Sequence, residues 1–238
     1  MITPPSAASV LEAEVVDSFA ELGVSAFTTG RSAGTFATQS HEPIRDVMGR
    51  WSELRARLGG ARLATAAQVH GTEVLEHEAG WTGWLRADSA DGHLARVRGT
   101  AMAVTVADCV PVFIAHPSGA TAILHSGWRG TAAHITERAI GRLATIGLAP
   151  DELRVHCGPA ICGRCYEVSA DVALQLTRRD PGRSVHVDLR ELITQQVREL
   201  GVRHVSSSSY CTRCDNDRFF SHRAGDSGRQ LGVILAHA

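Results

Sequence analysis

Lysine is absent: all 24 basic residues of this 238-residue chain are arginine. That excludes a Schiff-base enzyme and a phosphate-binding P-loop, both of which need the amine. Excess charge is absent too. With 25 acidic residues the net charge is −1, so there is neither a basic field to hold nucleic acid nor an acidic tail. No apolar run approaches the roughly 18 residues of a membrane span, so no membrane partner is expected. The opening segment MITPPSAASV has no basic n-region and no apolar h-region, which predicts a cytoplasmic protein. What is present is ordinary globular composition, 44% hydrophobic with a mean hydropathy of −0.04. The length suits one domain over residues 1–238 better than two.

Periodicity predicts four helices. The first spans 43–58, with Ile44, Val47, Met48, Trp51, Leu54 and Leu58 on one face and Gly59-Gly60 as its stop. A second runs over 130–146 through Ile135, Ala139, Leu143 and Ile146. A third, 170–178, takes Ser169 as N-cap. A fourth takes Asp188 as N-cap with Glu191 completing a capping box, and Gly201 ends it. Strands are expected at 62–69, 72–77, 101–107, 110–115, 120–125, 153–157, 203–206 and 230–235. Several are Val- and Ile-rich runs of the kind covered on both faces. Helices and strands alternate without repeats or long linkers, so the chain reads as one mixed α/β domain.

Three metal-capable side chains stand at the ends of apolar strands: His70 after ATAAQV, Cys109 after AVTVAD and His125 closing ATAIL. If those ends share one edge of a sheet, two imidazoles and a thiolate can converge. That set suits Zn²⁺ and leaves a fourth position for water or substrate. The alternative is that each has a solvated or core role. Asp108 stands beside Cys109, and Asp88 and Asp91 lie in the ADSADG loop. A carboxylate near such a site can serve as general base, whereas Asp-Gly is also ordinary turn chemistry, the reading favoured for Asp91. Arg129, in HSGWRG at a predicted helix start, suits an anion such as phosphate, or else pairs with a carboxylate.

Six cysteines without an export signal point to thiols or metal ligands before disulfides. Cys162 and Cys165 form one CxxC pair, Cys211 and Cys214 another, a pattern that can build a structural four-cysteine zinc site or a disulfide. The strings Thr131-Ala132-Ala133-His134 and Gly225-Asp226-Ser227-Gly228 resemble trypsin-like protease motifs. His134, however, falls inside a predicted helix, and only ten residues follow Gly228, too few to wall a specificity pocket.

Taken together, the blocks FTT (27–29), QVHGTEV (68–74), TVADCVPVFIAHP (105–117), HSGWRGTA (125–132), GPAICGRCYEVS (158–169) and CTRCDNDRFFSHRAGDSGRQLGVI (211–234) resemble the YfiH family. Its members are described as multicopper polyphenol oxidases or laccase-like proteins, as purine nucleoside phosphorylases and as peptidoglycan editing factors. The resemblance implies an α+β fold of two packed β-sheets flanked by helices on both outer faces, in α/β/β/α layers. It implies a metal site of His70, Cys109 and His125, holding Zn²⁺ with Cu²⁺ as the alternative. A single site of this kind lacks the ligands of a multicopper cluster. The implied partners are small molecules, a nucleoside and phosphate. The implied reactions are phosphorolysis of adenosine, inosine, guanosine and 5′-methylthioadenosine, and deamination of adenosine. In that reading Asp108 carries a proton, and Arg129 with Arg31 holds phosphate. The competing enzyme reading is a cell-wall-precursor amidase with Cys109 as nucleophile and His125 or His70 as base. The non-enzyme reading is a zinc-stapled scaffold. The loop after FTT, which carries Arg31, departs from the family pattern, and Cys162 and Cys214 stand where that pattern does not call for cysteine.

Overall fold

The structure is a computed structural model that describes residues 11–238, so the reading of the opening MITPPSAASV segment lies outside the described residues. The chain begins with β1 (Glu12–Val15) and β2 (Val24–Thr29), then α1 (Ile44–Arg57). Seven strands follow: β3 (Arg62–Ala66), β4 (Val74–His77), β5 (Trp84–Ala87), β6 (Gly92–Ala95), β7 (Thr100–Val106), β8 (Val110–Ala115) and β9 (Thr121–Ser126). Next come α2 (Trp128–Ala132), α3 (Ile135–Thr145), β10 (Arg154–Cys157), β11 (Glu167–Val168), α4 (Ala170–Thr177) and β12 (Val185–His186). The chain closes with α5 (Leu189–Glu199), β13 (His204–Ser207) and β14 (Gln230–Ala236). One six-stranded sheet has the order β1-β2-β14-β7-β3-β5 and the other β13-β10-β8-β9-β6-β4; β11 and β12 pair separately.

Side-chain alternation along the strands builds the layers. On β7, Ala101 and Ala103 pack toward Trp51 and Leu54 of α1, while Met102, Val104 and Val106 point the other way. On β8, Val110, Val112 and Ile114 pack with Ile135, Leu143 and Ile193 of α3 and α5, while Phe113 and Ala115 meet the first sheet. Three apolar seams result: helix on sheet, sheet on sheet, and sheet on helices. This is the expected α/β/β/α layering. Strands in the middle are covered on both faces, which is why β8, β9 and β14 are buried throughout.

All eight expected strands form. Ser169 caps α4 by accepting the Val172 N–H, and Asp188 caps α5 by accepting the Arg190 N–H at 2.9 Å. Two expectations change. The helix anticipated over 130–146 is broken at His134, which adopts a left-handed φ of 58° and divides it into α2 and α3. On α1 the buried face is Val47, Trp51 and Leu54, while Ile44 and Met48 are 54% and 37% exposed. Strands β1, β2, β5, β6, β11 and β12 were not anticipated. Three of them have only four residues and two have only two, and their partners' ladders hold them. Among the described residues no helix is long and apolar enough to cross a membrane.

The second sheet buries an imidazole pair. His77 on β4 and His93 on β6 lie 2.9 Å apart, Nε2 to Nδ1. Burial pushes His93 down from 6.5 to about 3, with the neighbouring His77 adding to the effect. His93 is therefore held neutral when folded and takes up its proton on unfolding. Its contribution to stability is complete above pH 6.5 and declines as the pH falls toward 3. Denaturant melts across pH 7 to 4 should show the wild type losing stability steadily, and His93→Gln should flatten that slope.

Candidate metal centre

Strand register brings the chemistry to one end of the two-sheet stack, not to one edge of a single sheet: β3 and β7 belong to the first sheet and β9 to the second. β3 runs parallel to β7, and Gln68 extends their pairing past the end of β3. Its Nε2 donates to the Thr105 carbonyl and its Oε1 accepts from the Thr105 N–H, each at 2.7 Å. The chain leaving β3 reaches His70, the chain leaving β7 reaches Cys109, and β9 carries His125 near its end. The candidate donor atoms of these three residues all lie within 4.8 Å of one another. The His70 and His125 rings meet edge to face at 4.8 Å. His125 is buried, Cys109 half-buried and His70 exposed, so the cluster opens to solvent on the His70 side.

Asp91, expected to be a turn residue, organises this cluster instead. It is fully buried, immediately before β6. Its Oδ1 accepts the His70 N–H at 2.9 Å, and its Oδ2 accepts Gly71 N–H at 2.7 Å and Val69 N–H at 3.2 Å. Three successive N–H groups thus form a nest around one carboxylate. The nest requires His70 in the left-handed region, φ 59°, a conformation costing about 1–3 kcal/mol for a residue with a side chain. Oδ1 also lies 2.8 Å from His125 Nδ1. An ionised carboxylate only accepts, so Nδ1 carries the proton and Nε2 is left as the donor atom for an ion. Burial pushes Asp91 up, but these hydrogen bonds outweigh it and hold its carboxyl below the usual range.

Electrostatics within the trio favour charge separation. Burial pushes the Cys109 thiol up, yet the charge and hydrogen bonds of His125 and His70 bring it down to about 6. Burial pushes His125 down, but Cys109 and Asp91 outweigh it and raise it to about 9. Gly127 keeps the approach tight: a Cβ there would lie 2.8 Å from Cys109 Sγ and 3.3 Å from His70 Cδ2.

Asp108 is buried beside Cys109 with φ 80°; its Oδ1 accepts from Thr212 Oγ1 at 2.6 Å and its Oδ2 from the Arg223 N–H at 2.7 Å. Asp88 is exposed. Arg129 is exposed, its guanidinium 4.3 Å over the Trp128 ring, on a helix of only five residues. Arg31 pairs with Asp226 at 2.6 Å, donates to the Asn216 and Phe219 carbonyls, and stacks on Phe220. The sulfurs of Cys162, Cys165, Cys211 and Cys214 form a second group within 4.8 Å of one another. Gly127 and Gln68 were not singled out from sequence. Both lie inside blocks that were, but a close approach and a side chain extending a ladder leave no periodic signal.

Comparison with known proteins bears on this geometry. The family described as "Multi-copper polyphenol oxidoreductase laccase" matches residues 21–237. A purine nucleoside phosphorylase of Streptomyces coelicolor is 34% identical over 73% of this chain and 75% of its own. A protein from an unknown prokaryotic organism, named adenosine deaminase, is 30% identical over 61% of this chain and 59% of its own. The crystal structure of YlmD from Geobacillus stearothermophilus superposes with a TM-score of 0.83 at 26% identity, covering 91% of this chain and 93% of that one. With the family pattern spanning nearly its whole length, and relatives and folds in agreement, the chain belongs to the multi-copper polyphenol oxidoreductase laccase, or YfiH, family.

Proposed function

We propose that this chain is a zinc-dependent purine nucleoside phosphorylase, acting on adenosine, inosine, guanosine and 5′-methylthioadenosine, that also deaminates adenosine. The observation that carries the proposal is the convergence of His70, Cys109 and His125 behind one buried carboxylate, in a chain whose relatives are named for these two reactions. The donor set fits zinc with a position to spare, and it is too small for a multicopper cluster. Bound zinc supplies Lewis-acid polarisation and acidifies water.

The protein's own groups do the rest. Asp91 fixes the tautomer of His125 and the backbone of His70, so neither ligand reorganises when substrate arrives. In phosphorolysis a phosphate oxygen bonds to ribose C1′ while the C–N bond to the purine breaks and the purine takes up a proton. Arg129, exposed on the residues that follow His125, is the side chain of this reading that holds phosphate. Arg31 already spends its guanidinium on Asp226 and two carbonyls, and we give it the task of holding the 216–226 loop. Asp108 likewise spends both oxygens on Thr212 and Arg223, which favours a positioning role over proton transfer.

A second reading rests on the lowered Cys109 thiol beside His125, which suits a cysteine nucleophile attacking an amide of a cell-wall precursor. Metal dependence separates the two, since a thiolate nucleophile is free to react only when no ion holds it.

Purified protein incubated with adenosine should yield adenine and ribose 1-phosphate only when phosphate is present, and inosine with or without it. Mass spectrometry of the products checks this. Absence of both products from zinc-loaded protein overturns the proposal, and hydrolysis of a cell-wall-precursor amide that survives complete chelation favours the thiol reading. Asp91→Asn should weaken zinc binding about 10–100-fold, read by competition with a chromogenic chelator. Gly127→Ala should lower both zinc occupancy and kcat/KM at least about tenfold, because the added methyl contacts Cys109 and His70 directly.

A further inference from the structure

We propose that Cys162, Cys165, Cys211 and Cys214 bind a second zinc ion, a structural one, that staples the segment after β10 to the segment after β13 and so holds the wall beside the candidate active site.

Each CxxC pair sits on a tight turn. In the first, the Cys165 and Tyr166 N–H groups both donate to the Cys162 carbonyl, at 2.9 and 3.1 Å. In the second, the Asp215 N–H donates to the Cys211 carbonyl at 2.8 Å, and Asp215 Oδ2 accepts the Cys211 N–H at 2.9 Å. A turn of this kind presents its two sulfurs on one side. The turns are 45 residues apart in sequence and are brought together by a bridge between Ala160 and Cys211, with the Thr212 N–H donating to the Ala160 carbonyl at 3.2 Å. All four sulfurs then fall within 4.8 Å of one another.

That separation discriminates among occupants. Zinc–sulfur bonds of about 2.3 Å in a tetrahedron place sulfurs about 3.8 Å apart, inside the 4.8 Å limit that encloses all four sulfurs here. A polynuclear iron–sulfur cluster needs a wider cage to enclose its several iron atoms. Disulfides would divide the cysteines into two close pairs, whereas here all four share one centre. Cys165 and Cys214 Sγ lie 3.4 Å apart, well beyond bonding distance.

One sulfur already has a backbone donor. The Cys162 N–H donates to Cys211 Sγ at 3.2 Å, a bond that stabilises charge on sulfur. A zinc ion with four thiolates is a dianion, and each turn contributes an arginine, Arg164 and Arg213. Cys214 is exposed and Cys211 buried, so an ion has an entry path and a packed floor. On binding, zinc displaces the thiol protons to solvent, and nothing is oxidised or reduced.

Both turns reach the candidate metal centre through Asp108, the neighbour of Cys109. Thr212, inside the second CxxC, donates to its Oδ1, and Ile161, next to the first, donates its N–H to its carbonyl at 3.1 Å. A staple there fixes the backbone that Cys109 leaves from.

Metal analysis of the dialysed full-length protein tests this without reference to activity. The wild type should hold two zinc equivalents, Cys162→Ser/Cys214→Ser one, and His125→Ala the other one. Protein grown on cobalt should show the intense visible bands of a cobalt tetrathiolate in both wild type and His125→Ala, and lose them in the double-serine variant. In the wild type these four cysteines should resist N-ethylmaleimide until a chelator is added. Equal metal content and equal cobalt spectra in wild type and double-serine protein would overturn the proposal. So would immediate labelling of all four thiols, or a Cys165–Cys214 disulfide in their place. Failure of the phosphorolysis assay alone would leave these counts unchanged.

Discussion

A buried carboxylate must find donors, and Asp91 finds four: three consecutive backbone N–H groups and one imidazole. Left unpaired in the interior, that charge would cost several kcal/mol. The demand therefore shapes its surroundings. It curls residues 69–71 into a nest, holds His70 in the left-handed region and orients the His125 ring. The backbone strain at His70 is offset by hydrogen bonds to a charged acceptor, each worth about 1.5–3 kcal/mol. Asp91 immediately precedes a four-residue strand whose own apolar content is slight, so the strand and the site hold each other in place.

The two sheets provide the platform. Each central strand sends alternate residues into different seams, so a one-residue slip would exchange the helix-facing and sheet-facing sets. Register is thereby fixed, and with it the positions of the strand ends. That is what allows residues 39 and 16 positions apart in the chain, His70 to Cys109 and Cys109 to His125, to meet within 4.8 Å.

Arginine takes the structural tasks that a lysine-free chain leaves to it. Arg98 donates to the Leu22 carbonyl at 3.1 Å and to that of His237 at 3.2 Å, tying together segments far apart in sequence. Arg190, only 7% exposed, bridges the carbonyls of Ser208 and Tyr210. Arg31 gathers Asn216, Phe219 and Asp226. The planar fork satisfies several acceptors at once, which an ammonium group on a flexible stem does less well. Many arginines are thus committed to loops, and Arg129, stacked on Trp128 at the surface beside the cluster, is differently employed.

Much of this was legible in the sequence because it is local or periodic. The apolar runs of β7, β8, β9 and β14, the stripe of α5, the Ser169 and Asp188 caps and the ligand-type residues at strand ends all leave marks within a few positions. The short strands β5 and β6, the break at His134 and the exposure of Met48 left none, since each depends on what packs against it. The same holds for the site. Sequence supplied the donor types, His70, Cys109 and His125, but an Asp followed by Gly reads as a turn until its neighbours in space are known. Only the tertiary structure turned Asp91 into the centre of a hydrogen-bond nest, and only it gathered two CxxC pairs 45 residues apart around one point. The reason is that hydrogen-bond and metal geometry operate over a few ångströms, whatever the separation along the chain.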